Sequence, residues 1–105
     1  METAHWVPKT DVYATESVVV IKVELSGISK EDLDLTVERN RMTVSGMRRD
    51  ENRPRDSRFQ VMEIDYGELS TSLDVPEGYD IPRAKAAYHN GFLRIDVPKI
   101  VDSAA

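Results

Sequence analysis

The feature that most constrains the fold is a strict alternation of apolar and polar residues in short runs. In residues 17–25, four apolar side chains alternate with polar ones such as Lys22 and Glu24. A period of two sends successive side chains to opposite faces of an extended chain, which is typical of half-buried β-strands. The same alternation recurs in residues 33–38, 41–46, 68–75, 84–88 and 92–97. The pattern therefore predicts six or more strands.

Turn-forming residues separate these runs. Asn90-Gly91 is the strongest hairpin signal, because both residues tolerate a positive φ. Arg39-Asn40 and Pro76-Glu77-Gly78 also separate alternating runs. Ser29 to Asp32 looks like a helix start, but alternation resumes at once, so at most one helical turn is expected. Many short strands with closely spaced turns predict an all-β fold, a β-sandwich.

Length and charge narrow the classes of protein. The chain has 105 residues, which suits one domain, and a net charge of −5, which argues against general nucleic-acid binding. It contains no cysteine, so disulfides, thiolate metal sites and a cysteine nucleophile are excluded. There is neither a signal-peptide pattern nor an apolar run long enough to cross a membrane. We expect a cytoplasmic protein with no membrane partner.

Catalytic equipment is not recognisable in the sequence. The two histidines, His5 and His89, are far apart and suggest neither a catalytic triad nor a metal site. The glycines stand singly, without the spacing of a phosphate-binding loop. A carboxylate pair stays open in principle, although most acids occupy outward positions. We therefore expect no enzyme activity, no metal, no cofactor and no small-molecule substrate.

Residues 47–58 break the alternation with five arginines and three acids. The segment is either a solvated surface loop or a loop that reaches another subunit. Phe59 to Ile64 returns to a strand-like apolar pattern, which favours the second interpretation. Residues 84–88 also leave two interpretations open. Their small alanines could form the wall of a groove for a bound peptide, or pack inward where the sandwich is narrow.

Several short motifs follow one another in order along the chain. The most specific is Ala86-Ala87-Tyr88-His89-Asn90-Gly91-Phe92-Leu93, with the pattern Ala-x-x-x-Asn-Gly-x-Leu. The others are Trp6-Val7-Pro8, Asp11-Val12-Tyr13, Glu24 to Ile28, Lys30-Glu31-Asp32, Val44-Ser45-Gly46, Tyr66-Gly67, Val75-Pro76 and Ile95 to Lys99. Together they resemble an α-crystallin domain of the Hsp20 type, the small heat shock protein family, over roughly residues 6–99.

The resemblance implies an immunoglobulin-like β-sandwich and an ATP-independent holdase chaperone that binds partly unfolded client proteins. It implies a single domain over residues 1–105, with a loop at 47–66 and a short tail at 100–105. A homodimer would form when a strand of the loop pairs with the partner's β-sheet, with higher oligomers possible in the family. By position, the exchanged strand is Phe59, Gln60, Val61 and Met62, and it would pair with the partner's Asp11, Val12 and Tyr13 region, up to Ala14.

The resemblance also implies an apolar groove for a client segment or for a partner's Ile-x-Ile-type motif. The positions carried over to it are Leu33, Leu35, Val37, Ala84 and Ala86. The alternative function is a p23-like sandwich adaptor that binds one folded partner; the long arginine-rich loop argues against it.

Two departures from the family pattern affect assembly. Thr71 stands where the family commonly has arginine, and it can supply neither the charge nor the hydrogen bonds of a guanidinium. The tail from Lys99 to Ala105 has no clear Ile-x-Ile motif, and we expect no long N-terminal arm before the domain. We therefore expect a dimer rather than a large assembly.

Overall fold

The computed structural model describes residues 5–101. Residues 102–105 of the predicted tail lie outside the described residues. Seven strands form two antiparallel sheets, one ordered β1-β2-β7-β6 and the other β3-β4-β5. Two single-turn 3-10 helices, η1 (Lys30–Asp32) and η2 (Ile81–Arg83), lie in the connections. The strands are β1 (Thr10–Ala14), β2 (Val18–Glu24), β3 (Leu33–Glu38), β4 (Arg41–Arg48), β5 (Gly67–Asp74), β6 (Lys85–His89) and β7 (Phe92–Pro98).

The alternation in the sequence becomes the two-sided character of the sheets. Val19, Ile21 and Val23 of β2 are buried in the core between the sheets, while Lys22 is exposed. The other core residues are Leu25, Ile28, Met42, Val44, Leu69, Val75, Leu93, Ile95 and Val97. The prediction of a β-sandwich is therefore confirmed.

The predicted turns are also confirmed in their backbone conformation. Asn90 and Gly91 have φ values of 51° and 82°, and Arg39 has a φ of 58°. The expected helical turn before β3 is η1. One boundary differs from the prediction: β4 continues to Arg48, so the first two residues of the predicted loop 47–66 belong to a strand, paired with Gly67 and Glu68.

The N-terminal arm, residues 5–9 before β1, pairs through Trp6 with one of the four sheet edges, the outer side of β5. The Trp6 N–H donates to Glu68 O at 3.0 Å, and the Ser70 N–H donates to Trp6 O at 3.1 Å, so the arm lies along β5. The Trp6 indole Nε1 donates to Gly67 O at 3.1 Å. Within the described residues, the outer sides of β1, β3 and β6 pair with no other strand, so these three remain open sheet edges.

The loop after β4 projects from the sandwich. The Cα radius of gyration is 16.9 Å and the longest axis is 69 Å, whereas a compact chain of this length has a radius of about 13 Å. Residues 49–66 carry no regular secondary structure. No residue of 49–66 belongs to the hydrophobic core or is among the partly buried hydrophobic residues packed against it, so the predicted exchange segment lies outside its own core.

Candidate functional site

An apolar cavity lies where the edges of the two sheets meet. It has a volume of about 210 Å³ and is lined by Leu33 and Leu35 of β3 and by Ala86 and Tyr88 of β6, with Leu93 at its base. Lys30 and Asp34 lie at its margin. Leu35 is 37% exposed although its side chain is on the core side of the sheet. The cavity can therefore accept apolar side chains from outside.

The backbone of β6 faces this cavity with hydrogen-bonding groups that no other strand uses. The Leu25 N–H donates to Gly91 O at 2.7 Å, so alternate residues of β7 bond to β2 and the others to β6. With the register of the β6–β7 pair, this leaves the backbone groups of Ala86 and Tyr88 pointing away from β7. These are residues that also line the cavity.

The same alternation holds for β3 on the opposite wall. The Val75 N–H donates to Asn40 O at 2.8 Å, which fixes the bonded residues of β4. In the β3–β4 register, the backbone groups of Leu33, Leu35 and Val37 then point away from β4. The Leu33 N–H donates to Lys30 O. Apart from that group, each wall of the groove combines inward apolar side chains with backbone donors and acceptors that no strand of the described residues uses, which suits an extended peptide.

The structure brings together three of the five residues expected to form the groove. Leu33, Leu35 and Ala86 line the cavity, whereas Val37 and Ala84 do not. Val37 is 48% exposed further along β3. Ala84 packs against the core just before β6. The two interpretations of the alanine segment therefore apply to different residues, since Ala84 fills the core and Ala86 faces the groove.

Tyr88 connects the groove to the β2–η1 connection. Its hydroxyl lies 2.6 Å from Leu25 O and 2.8 Å from Ile28 O. A phenol has one hydrogen to donate, so the two carbonyls share it. Sequence reasoning missed this role, because a tyrosine at an alternating position is indistinguishable from an ordinary core residue.

Arg48 holds the base of the projecting loop. Its Nε donates to Ser26 O at 3.1 Å and its Nη1 donates to Asp65 O at 2.9 Å. The guanidinium also lies 4.4 Å from the centroid of the Trp6 ring, within cation–π range. One side chain therefore joins the N-terminal arm, the β2–η1 connection and the end of the loop.

Arg49 adds an ion pair next to this anchor. Its Nε and Nη2 each lie 3.1 Å from a carboxylate oxygen of Asp32, in a two-pronged geometry. The hydrogen bond from Arg49 lowers the pKa of Asp32 below its ordinary value, and the same bond raises the pKa of Arg49. The pair fixes the loop to η1, directly before the groove residue Leu33.

Glu24 supports the same connection from the end of β2. Its carboxylate accepts a hydrogen bond from the Ser26 backbone N–H at 2.9 Å. Hydrogen bonding from Ser26, assisted by the charge of Arg48, lowers the pKa of Glu24. The turn that carries the Arg48 contact is thus itself held by an ionised carboxylate.

The loop has internal structure beyond its base. Arg53 pairs with Asp50 at 2.8 Å, donates to Ser57 Oγ at 2.9 Å and lies 4.4 Å from the centroid of the Phe59 ring. The Ser57 N–H donates to Pro54 O at 3.2 Å in a tight turn. The arginines do more than keep the loop solvated, because three of the five make specific contacts.

The expected exchange segment is apolar and exposed. Phe59 is 46% exposed, and Val61 and Met62 are 71% and 70% exposed, with Gln60 exposed between them. They form no strand within the chain. Phe59, Val61 and Met62, together with Ile64 and Tyr66, line a cavity of about 130 Å³ on the loop. Such an apolar surface on a projecting arm needs a partner to be removed from water.

The strand expected to receive this segment is an open edge. Hydrogen bonds from Glu24 N to Lys9 O and from Thr15 N to Val18 O fix the bonded residues of β1. The backbone groups of Thr10, Val12 and Ala14 therefore point away from β2. Asp11, Val12 and Tyr13 are exposed. The open edge of β1 precedes β2, whereas the exchange segment follows β4.

Two further features of the described residues concern metal sites and membrane-spanning helices. Within residues 5–101, no three His, Asp or Glu side chains are grouped so that they could hold a metal ion. No helix in the same range is long and apolar enough to span a membrane.

Thr71 lies on β5 opposite Val44, on the core side of its sheet.

Comparison with known proteins identifies the family. Residues 11–105 match the model of the Hsp20/alpha crystallin family. The chain belongs to the Hsp20 family. The prediction of a small heat shock protein with an α-crystallin domain is thereby confirmed, and the chain is related to chaperones rather than to known enzymes.

Curated relatives and solved structures agree with this assignment. Spore protein SP21 of Stigmatella aurantiaca is 33% identical over 90% of this chain and 56% of its own length. Small heat shock protein C4 of Rickettsia felis is 31% identical over 93% and 60%. The chain thus spans about 60% of the length of these Hsp20 relatives. Heat shock protein 16.0 of Schizosaccharomyces pombe superposes with a TM-score of 0.81 at 28% identity, covering 96% of this chain and 94% of that one.

Proposed function

We propose that this Hsp20 domain is an ATP-independent holdase that binds extended apolar segments of partly unfolded proteins in the groove between β3 and β6. The observation that carries the proposal is the coincidence of two properties in the same residues. Leu35, Ala86 and Tyr88 line the cavity, and their backbone groups also point out of the sheet edges. A partly unfolded protein exposes extended apolar segments of the kind that a folded protein keeps mostly buried.

The physical basis is strand addition combined with side-chain burial. Backbone pairing accepts any sequence, so it suits a protein that must bind many clients. Each Val or Leu side chain buried in the groove contributes about 1.5–3 kcal/mol before the cost of ordering the segment. Release requires no nucleotide, and the sequence contains no Gly-x-x-x-x-Gly-Lys segment to bind one.

We further propose that two copies form a dimer by exchange of the loop strand. The segment from Phe59 to Met62 would pair with the free edge of β1 at Asp11 to Ala14 of the other copy. The exposed apolar side chains of the segment and the outward backbone of Thr10, Val12 and Ala14 support this proposal. Arg48 and Arg49 would keep the loop in a projecting position.

Light scattering of a heated model client tests the holdase activity. Addition of the protein is expected to delay turbidity, equally with and without ATP. A p23-like adaptor dedicated to one folded partner would leave the turbidity of the client unchanged, and that result would contradict the proposal. A folded, unheated client serves as the control, since it exposes no extended apolar segment.

Solution mass tests the exchange. Because Arg48 pairs with Gly67, residues 50–64 can be replaced by a short Gly-Ser turn that closes the β4–β5 hairpin. The shortened protein is expected to be a monomer that keeps its β-sheet circular dichroism. If the shortened protein retains the subunit number of the complete one, strand exchange is wrong.

A further inference from the structure

Opposite charges flank both the exchange segment and the strand edge that would receive it. Arg58 precedes the segment and Glu63 follows it, while Lys9 precedes β1 and Glu16 follows it. All four side chains are exposed. Each of the two elements therefore carries a basic end and an acidic end.

None of these four charges takes part in an ion pair among residues 5–101. Of the five arginines in the loop region, Arg48, Arg49 and Arg53 are engaged in the contacts described above. Among residues 5–101, no ion pair involves Arg58 or Glu16. The loop thus uses part of its charge to hold its own shape and leaves Arg58 facing outward next to the exchange segment.

The charge order distinguishes the two possible directions of strand pairing. In an antiparallel arrangement, Arg58 meets the Glu16 end of the other copy's β1, and Glu63 meets the Lys9 end. In a parallel arrangement, Arg58 meets Lys9 and Glu63 meets Glu16. Like charges brought opposite each other across strands are destabilising, so the antiparallel direction is favoured.

The apolar residues select the register within that direction. Val12 is paired with the core residue Ile21, so its side chain is on the core side of the sheet. Val61 placed opposite Val12 brings Phe59 opposite Ala14, with large and small apolar side chains together on that side. In this register, position 58 falls opposite Thr15. Glu16 lies beyond the end of β1, in the turn closed by the hydrogen bond from the Thr15 N–H to Val18 O, so the alternation of the strand does not fix its side chain on the core side.

We propose that Arg58 and Glu16 form an ion pair between subunits that orients the exchanged strand and selects a second copy of this chain as the partner. The inference rests on the strand exchange proposed above. In a symmetric dimer the pair occurs twice. Its value lies in specificity, because a partner with a basic residue at the Glu16 position would place two cations together at one of the two contacts.

Charge reversal tests the pair. Arg58→Glu and Glu16→Arg are each expected to weaken the homodimer by about tenfold in Kd at low salt, since each variant sets two like-charge contacts. An equimolar mixture of the two variants is expected to form a heterodimer with near-normal Kd, because both contacts become attractive. Sedimentation at graded concentrations measures the three constants, and the differences should shrink in 1 M salt, where the Debye length is about 3 Å.

Matched variants separate the pair from net charge and from folding. Arg83→Glu at η2 and Glu77→Arg in the turn before η2 change the charge equally at positions outside β1 and the loop, and are expected to leave Kd unchanged. If the reversals leave Kd unchanged while the shortened loop gives a monomer, the ion pair is wrong and the exchange stands. If the mixture is no tighter than the single variants, the pair is also wrong. If the shortened loop still gives a dimer, the exchange and the pair fail together.

Discussion

The hydroxyl group of Tyr88 lies 2.6 Å from the backbone carbonyl oxygen of Leu25. Tyr88 lines the groove, and the residue after Leu25 supplies the carbonyl that binds Arg48 at the base of the loop. The β2–η1 connection therefore lies between the two proposed binding surfaces and is fixed from both sides. Substitutions of the residues that contact this connection therefore test how the two surfaces are held in place.

Removal of the Tyr88 hydroxyl is expected to destabilise the fold. Tyr88→Phe leaves the carbonyls of Leu25 and Ile28 without their shared donor, and we expect a loss of about 1 kcal/mol in the free energy of unfolding. Urea unfolding measures it. Tyr79→Phe is the control, since Tyr79 is partly buried but its hydroxyl forms no hydrogen bond within the described residues. Equal effects of the two substitutions would contradict the assigned role.

A second prediction concerns the contact of the Asn90-Gly91 turn with the same connection. A Cβ atom on Gly91 would lie 2.9 Å from the Cα atom of Ser26, whereas a Cβ atom on Gly78 would meet nothing within 4 Å. Both glycines have a positive φ, 82° and 93°. Gly78→Ala should cost about 1 kcal/mol for the backbone conformation, and Gly91→Ala should cost about 1–3 kcal/mol more for overpacking. Similar losses in thermal unfolding would show that the turn can move away from Ser26.

The position of Arg48 can be followed through Trp6, the one tryptophan of the chain. Arg48→Met removes the guanidinium from the ring and frees Ser26 O and Asp65 O. We expect red-shifted Trp6 emission, stronger quenching by acrylamide and faster hydrogen exchange in residues 63–66. Arg55→Met, in the exposed part of the loop, should leave the spectrum of the protein unchanged. An unaltered emission spectrum for Arg48→Met would show that the positions of the N-terminal arm and of the loop base do not depend on Arg48.

The Asp32–Arg49 pair makes part of the stability dependent on pH. The pKa of Asp32 is lowered in the folded chain, so its contribution is present above the ordinary aspartate pKa of about 4 and is lost as the pH falls through the lowered value. The difference in unfolding free energy between the protein and Asp32→Asn should be constant near neutrality and decrease below about pH 4. The pKa of Glu24 is also lowered, but Glu24 is present in both proteins, so its contribution cancels in the difference between their unfolding free energies. A difference that does not change with pH would exclude this linkage.

The sandwich was predictable because each strand repeats one simple rule. A residue such as Ile21 or Val44 must be apolar to face the core, and its neighbours must tolerate water, so the alternation is written directly in the sequence. The hairpin turn at Asn90-Gly91 was predictable for a similar reason, since its conformation depends on two adjacent residues. β1 was expected only from the family resemblance, because its own residues are exposed and show no clear alternation.

The details of the site were less predictable because they depend on distant contacts. Arg48 and Ser26 are 22 positions apart, and no local pattern marks Arg48 among its neighbouring arginines as the anchor. Val37 and Ala84 share the alternation of the groove residues, but only the packing of the two sheets decides that they lie outside the cavity. The resemblance to the Hsp20 family supplied the groove and the exchange segment, and the structure supplied their geometry.

The most direct test of the central claim is binding of a labelled extended peptide with two Ile side chains at positions i and i+2. Fluorescence anisotropy should show saturable binding to the unaltered protein and a Kd about tenfold or more weaker for Ala86→Asp, because the substitution puts a charge into an apolar groove. Thr36→Asp adds the same charge on the outer face of β3 and should bind normally. Equal affinities of the two variants, or delayed client turbidity by Ala86→Asp equal to that of the unaltered protein, would contradict the groove as the site of client capture.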